Sequence, residues 1–570
     1  MTNKQLKKLK DTLWTTADQL RANSGLKSTE YAEPILGLIF LRFAECKYEK
    51  YEDEINAEYK KNQGTRMERP IHEIAIEKCG FYLPEKARYQ YLLDLPESEN
   101  LAEAVKQAMI EIEKYTVELE DTLPKDIYYS VNSEDDPLVL SKLLKNFKDI
   151  PEDVQLDIFG EIYEYFLGKF ALAEGQGGGE FFTPSTVVRY MVEVLAPTEG
   201  KILDPACGSG GMFVQTAHYI DHHKAQGKLL NLRAYGVEKT AATVRLAKMN
   251  LVLNNIRGTI TWANSYRQDP YDSVGNFDYV MANPPFNVDE VELDMVKDQP
   301  RFNTYGVPQN KTKKAKKDAK ETVPNANYLW ISQFATALNE HGRAALVMAN
   351  SASDAGNSEK EIRKKLIESG LISQMVTLPS NMFTSVTLPA TLWFFDRDKQ
   401  KKDEILFIDA RNVFTQIDRA HRKFSDEQIR NLGIITRLYE GQTEEFENLL
   451  AEYRAKLAEA PEISDDEDVM PKSYWQENID WLQERFPDGK YVDVTGLCKA
   501  ATIEGEDGIA DQDYSLNPGR YVGVVIEDDG MTEEGFKAEM LSLNAELSKL
   551  NEEAHELEHK IADNLRELFS

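Results

Sequence analysis

The chain has 570 residues, 42% hydrophobic and 29% charged, a globular balance with ample length for several cores. Its formal net charge of −30 argues against a protein that grips nucleic acid unaided, since such a protein presents basic surface to phosphates. Cys46, Cys79, Cys207 and Cys498 form no Cys-x-x-Cys pair, and neither a signal-peptide run nor a membrane-length apolar stretch occurs, so no metal site, no membrane span and a cytoplasmic location are expected.

Residues 1–150 read as a helical N-terminal domain. Leu6, Leu9, Leu13, Ala17 and Leu20 recur at helical spacing, and Ile35–Leu41 opens a more buried helix after Pro34. Val154, Ile158, Ile162, Tyr165 and Phe166 suggest a further amphipathic helix. Glu174–Gly179 is too glycine-rich for regular structure and is either a flexible linker or a mobile flap. Thr183 followed by Pro184 reads as a helix start, with Thr as N-cap.

From there strands and helices alternate. Strands are expected at Ile202–Leu203, Ala234–Val237, Thr259–Trp262, Tyr279–Ala282, Ala344–Met348, Ile372–Leu378 and Thr391–Phe395. Helices are expected at Met212–Lys224, Ala241–Asn254 and Ala326–Leu338. The alternation implies an α/β domain over 151–425 with a mostly parallel, doubly wound sheet. Within it, residues 287–325 lose periodicity and carry Lys311–Lys320, six lysines in ten residues. That run is either a solvated charge cluster or a contact to a nucleic-acid backbone. A mixed acidic region follows over 426–530. In 531–570, Phe536, Met540, Leu543, Leu547, Leu550, Ala554, Leu557 and Ile561 alternate spacings of four and three, with Leu565 and Leu568 beyond, a stripe that fits either a coiled-coil seam or self-packing.

Two motifs organise this chain. Lys-Ile-Leu-Asp-Pro-Ala-Cys-Gly-Ser-Gly-Gly (Lys201 to Gly211) is a short strand breaking into a glycine turn, where the backbone can approach a ligand closely. Asn-Pro-Pro-Phe (Asn283 to Phe286) follows another strand, and its prolines stop the strand and stiffen the turn. The pair resembles the S-adenosylmethionine-dependent methyltransferases that modify exocyclic amines of nucleic-acid bases. Gly-Glu-Phe-Phe-Thr-Pro (Gly179 to Pro184) narrows the likeness to the modification subunits of type I restriction–modification systems.

The resemblance implies a Rossmann-like core and a cofactor contact from Glu180, Phe181, Phe182, Thr183, Pro184 and Ser185. Asp204, ending its strand, suits the cationic amino-acid end of S-adenosylmethionine, while Gly208, Ser209, Gly210 and Gly211 admit the ligand at a helix start. Glu238 ends the next strand, where a carboxylate can accept both ribose hydroxyls. The Gly208–Glu238 spacing and the Gly-x-Gly-Gly pattern depart from a dinucleotide fingerprint. Asn264 is a weaker candidate for the adenine ring of the cofactor.

At the second motif, the Asn283 side-chain oxygen and the Pro284 carbonyl can each accept one amine hydrogen. Pro285 stiffens the turn, and Phe286 can stack on a base flipped from duplex DNA. Asn at 283, rather than Ser, leans the resemblance toward adenine N6. The expected partners are double-stranded DNA, a specificity subunit that chooses the site, a restriction/translocase subunit, and a second copy of this chain. The alternatives are an amino-methyltransferase acting on RNA or a protein glutamine, and a non-catalytic scaffold.

Overall fold

A computed structural model describes residues 3–568 apart from 24–25, 27–31, 97, 133–135, 149, 151–161, 163–164, 167–168, 170–182, 224–231, 310–320, 384–388, 419–420, 465–468 and 526–532. Two compact units result, Met1–Val522 and Gly523–Ser570. Among the described residues no helix is long and apolar enough to cross a membrane.

The first unit is built on one large sheet. Its strands are β1 (Gly200–Asp204), β2 (Leu232–Glu238), β3 (Gly258–Trp262), β4 (Phe277–Ala282), β5 (Leu338–Ala349), β6 (Ile372–Thr377), β7 (Ala390–Asp396) and β8 (Glu404–Asp409). A ribbon of β9 (Thr415–Gln416) and β10 (Arg422–Lys423) follows, and β11 (Cys498–Thr502) completes the sheet, whose order is β3-β2-β1-β4-β5-β7-β6-β8-β11. β3, β2, β1, β4 and β5 run parallel. β7, the strand expected at Thr391–Phe395, lies antiparallel between β5 and β6. β8 and β11 are additions to the expected strands: β8 lies parallel to β6, and β11, antiparallel to β8 at the edge, carries the sheet past residue 425.

Period-two alternation sends successive residues to opposite faces. Ile202, Met281, Ala345 and Phe394 enter one core, with helices Ser185–Leu195, Gly211–His223 and Asp426–Tyr439. Leu203, Ala282, Leu346 and Phe395 enter another, with helices Asn327–Ala337 and Asn357–Glu368. Burial on both faces makes these strands continuous apolar runs.

The N-terminal region forms a third core around helix Ala32–Asn62, whose stretch from Pro34 to Tyr48 is buried. Pro34 lies in its first turn, where a missing N–H is harmless. Leu6, Leu13 and Ala17 are buried, as are Ile162 and Phe166. This core also takes in Met249, Val252 and Leu253 from helix Ala241–Leu253 of the sheet region. There the buried Lys47 Nζ donates to the Leu253 carbonyl at 2.6 Å, a cation at a helix C-terminus.

The second unit contains one helix, Glu533–Leu568. Phe536, Met540, Leu543, Leu547, Leu550, Leu557 and Ile561 are exposed along it.

Candidate active site at the carboxyl edge of the sheet

The strand order places β1 beside β4, while the chain runs from β1 through β2 to β3 on one side and from β4 to β5 on the other. This is a topological switch point, where loops leave in opposite directions and open a crevice at the carboxyl ends. Asp204 ends β1, Glu238 ends β2, Asn264 follows β3 and Asn283 follows β4. All four line one cavity of about 1000 Å³, together with Thr183, Gly208, Ser209, Gly211, Pro285 and Phe286.

The β1 turn is held by local bonds. Cys207 N donates to the Val237 carbonyl at 3.0 Å, Asn250 Nδ2 to the Ser209 carbonyl at 2.7 Å, and Ser265 Oγ to the Pro205 carbonyl at 2.5 Å. Gly208 has φ +51° and open space where a Cβ would stand, as does Gly211, so a ligand can lie against this backbone. Gly210 differs. A Cβ there would press on Leu251 at 3.3 Å, so it serves close packing against helix Ala241–Leu253 and does not line the cavity.

Asp204 is 1% exposed, and its Oδ1 accepts from Ala206 N at 3.0 Å. Burial, opposed by that bond and reinforced by the neighbouring Glu238 charge, pushes its carboxyl well above the usual range. Glu238 is nearly buried and accepts from Thr240 N at 2.8 Å. Two sequestered carboxyl groups thus border one cavity and can meet a cation and hydroxyl donors there. Asn264 lines the same wall, and its side-chain oxygen accepts from Tyr266 N at 3.0 Å.

The turn after β4 is held from further away. Asn283 Nδ2 donates to Thr183 Oγ1 at 2.9 Å. Asn287, at φ +54°, donates its N–H to Asn327 Oδ1 at 2.8 Å and accepts from Asn327 Nδ2 at 2.9 Å, a reciprocal clamp on the end of the turn. Pro284 is buried behind it and does not line the cavity.

The expected helix start shifts by one residue. Helix Ser185–Leu195 is capped by the Pro184 carbonyl, which accepts from Val187 N at 2.9 Å, with no side-chain cap. The Thr183 hydroxyl is therefore used on Asn283 instead of on the helix. Pro184 and Ser185 do not line the cavity, while Glu180, Phe181, Phe182, the glycine run 174–179 and Lys311–Lys320 lie outside the described residues. Asn250, Asn327 and Ser265 had no sequence signal beyond being polar.

A further wall comes from the N-terminal region. Ala32, Glu33, Leu36, Thr122 and Pro124 line the cavity, and Glu33 Oε1 meets Arg245 Nη2 at 3.4 Å. Its apolar N-terminal periodicity gave no hint of this.

Residues 154–481 match the N-6 DNA Methylase family, and residues 9–147 match the HsdM N-terminal domain. The chain is 35% identical over 572 residues to the type I restriction enzyme MjaIX methylase subunit of Methanocaldococcus jannaschii, covering 97% of this chain and 90% of that protein. The chain belongs to the methylase subunits of type I restriction–modification systems. Another such methylase subunit, HindI of Haemophilus influenzae, is 33% identical over 512 residues, covering 87% of this chain and 97% of the relative. The fold is shared with the crystal structure of the type I methyltransferase subunit from Streptococcus thermophilus, at TM-score 0.63 and 20% identity over 91% of this chain and 99% of that one. This type I methylase subunit is an N6-adenine DNA methyltransferase, and nothing in its relatives favours RNA, protein glutamine or a silent scaffold.

Proposed function

We propose that the cavity binds S-adenosylmethionine and that the Asn283 turn presents the N6 amine of a flipped adenine to it, within a complex whose specificity subunit chooses the DNA site. The observation that carries this reading is the convergence of Asp204, Glu238 and Asn283 on one cavity at the switch point. The bound cofactor supplies a methyl group already activated on a sulfonium.

What remains for the chain is positioning. Asp204 balances the cationic amino-acid end, and the Gly208–Gly211 turn lets the ligand lie against backbone at the start of helix Gly211–His223. Glu238 accepts the ribose hydroxyls. In this reading the Asn283 oxygen accepts one hydrogen of the amine, and the carbonyl of the buried Pro284, off the cavity lining in this structure, would take the second once adenine enters, which favours a pyramidal nitrogen and directs its lone pair. Phe286 stacks on the extruded base. No strong base is needed, because the proton can leave after transfer.

In this reading 151–425 carries the chemistry and 1–150 walls the cofactor side. Residues 426–530 brace the core, as Arg437 Nη2 does by donating to the Glu193 carbonyl at 2.6 Å. Residues 531–570 dock on helices of the specificity subunit, supported by the exposed stripe from Phe536 to Ile561. The net charge of −30 supports DNA reading by that partner. Two copies of this chain per specificity subunit, joined by a restriction/translocase subunit in the cytoplasm, complete the proposed assembly.

The test is tritiated methyl transfer to adenine in duplex DNA, with the chain alone and with its specificity subunit. Transfer only with the partner is expected. Equal transfer by the chain alone would overturn the borrowed DNA recognition, and absence of SAM binding would overturn the cofactor assignment.

A further inference from the structure

We propose that Tyr328 is a positioning residue for methyl transfer. Its hydroxyl ties the start of helix Asn327–Ala337, which clamps the amine turn, to the loop after β5 and, through Arg363, to the C-terminal segment 514–521. This rests on the reading of the Asn283 turn as the amine site.

The clamp needs a footing. Asn327 holds Asn287 by two reciprocal bonds, yet it is the first residue of its helix, where backbone N–H groups have no intrahelical partner. Tyr328 stands next to it and is fully buried. The Tyr328 hydroxyl donates to the Ala352 carbonyl at 2.7 Å and accepts from Arg363 Nη1 at 3.1 Å. Both senses are fixed, because a carbonyl only accepts and a guanidinium only donates. The hydroxyl therefore uses its proton on one side and a lone pair on the other.

Arg363 carries the connection outward. It is 2% exposed, and it donates from Nη1 to the Ala355 carbonyl at 2.6 Å and from Nε to the Tyr514 carbonyl at 2.7 Å. A rigid planar fork whose donors reach three segments fixes how those segments stand to one another. The segment it reaches is itself fastened. Leu516 N donates to the Ser353 carbonyl at 2.9 Å, Asn517 Nδ2 donates to Asp354 Oδ2 at 3.3 Å, and the Tyr521 ring stacks on Phe407 of β8 with centroids 4.0 Å apart. Residues well beyond 425 thus bear on the amine turn through Arg363, Tyr328 and Asn327.

The experiment uses the chain assembled with its specificity subunit and reads single-turnover methyl transfer at saturating S-adenosylmethionine, cofactor Kd and Tm. Tyr328→Phe keeps the buried ring and removes only the hydroxyl. It is expected to lower the saturated rate about tenfold while Kd stays within about threefold. Arg363→Lys, which keeps the charge and loses the fork, should do the same, and it decides the matter if Tyr328→Phe fails to assemble. A hydroxyl that served stability alone would lower Tm without this split between rate and Kd. The second readout combines Tyr328→Phe with Asn327→Ala. Because the hydroxyl acts through the clamp, the double variant should fall within about threefold of Asn327→Ala alone. A parent-like rate in Tyr328→Phe, an equal loss of cofactor affinity, or losses that multiply in the double variant overturns the inference. Asn283→Ala in parallel separates the layers: if it retains the rate, the amine-site reading itself fails, whereas its inactivity beside a parent-like Tyr328→Phe defeats only the role of Tyr328.

Discussion

The two halves of the proposed active site, one read as holding the cofactor and one as holding the amine, are built on opposite plans. The cofactor half is made of short consecutive segments, Asp204–Gly211 and the end of β2, cross-braced by nearby bonds such as Cys207 N to the Val237 carbonyl. The amine half is a four-residue turn held in place by distant residues, Thr183 on one side and Asn327 on the other. The first contains most of its own instructions; the second is oriented by the fold around it. Affinity and rate should therefore separate under mutation.

The largest break is expected at Asn283. Asn283→Ala should reduce single-turnover methylation by about 10²–10³-fold, as loss of an acceptor that orients the amine, and leave cofactor Kd within about threefold. Parallel loss of cofactor binding would show that the halves are one. Next comes Asp204→Ala, which removes a buried charged partner and should weaken cofactor Kd about 10- to 100-fold by titration calorimetry.

The same carboxyl predicts a pH dependence. Burial raises its pKa well above the usual range in the free protein. A cation beside it lowers that value, so binding releases a proton. Cofactor affinity should strengthen as pH rises from the bound-state to the free-state pKa, by at most about tenfold per unit, and level off above. Asp204→Asn should flatten the slope; an unchanged slope would assign the proton elsewhere.

Asn327→Ala sharpens the other side. Cutting the clamp on Asn287 should slow transfer about tenfold and cost about 1–3 kcal/mol in denaturant unfolding, because a backbone N–H loses its partner. The smallest effect belongs to Glu33→Gln. Its ion pair with Arg245 is partly exposed, so cofactor Kd should change by no more than about threefold.

This contrast also explains what could be read from sequence. Lys201–Gly211 was legible because strand, turn and helix start are adjacent, and Glu238 because it ends the next strand. The Asn283 turn was visible as chemistry but not as something held, since neither Thr183 nor Asn327 is near it in sequence. Thr183 was read as a helix cap from its neighbour Pro184, a local rule overridden by a tertiary partner. β8 is apolar at Ile405–Ile408 but follows a strand-rich stretch without a helix to mark it, and β11 has only Cys498, Lys499, Ala500, Ala501 and Thr502, a weak strand signal rescued by pairing with β8. The N-terminal wall was invisible because Leu36 belongs to an ordinary apolar helix run and Pro124 to no motif.

Helix Ala241–Leu253 gives its Met249, Val252 and Leu253 side chains to the N-terminal core. That sharing sets terms for inheritance. A recombination event that joins the first 150 residues of one methylase gene to the catalytic region of a diverged relative would pair Lys47 and its apolar neighbours with a helix shaped for other contacts. The hybrid would carry that mismatch directly behind the cofactor wall. Exchanges that survive selection should therefore replace both regions together, and the N-terminal region of such genes should be inherited with the catalytic motifs as one block.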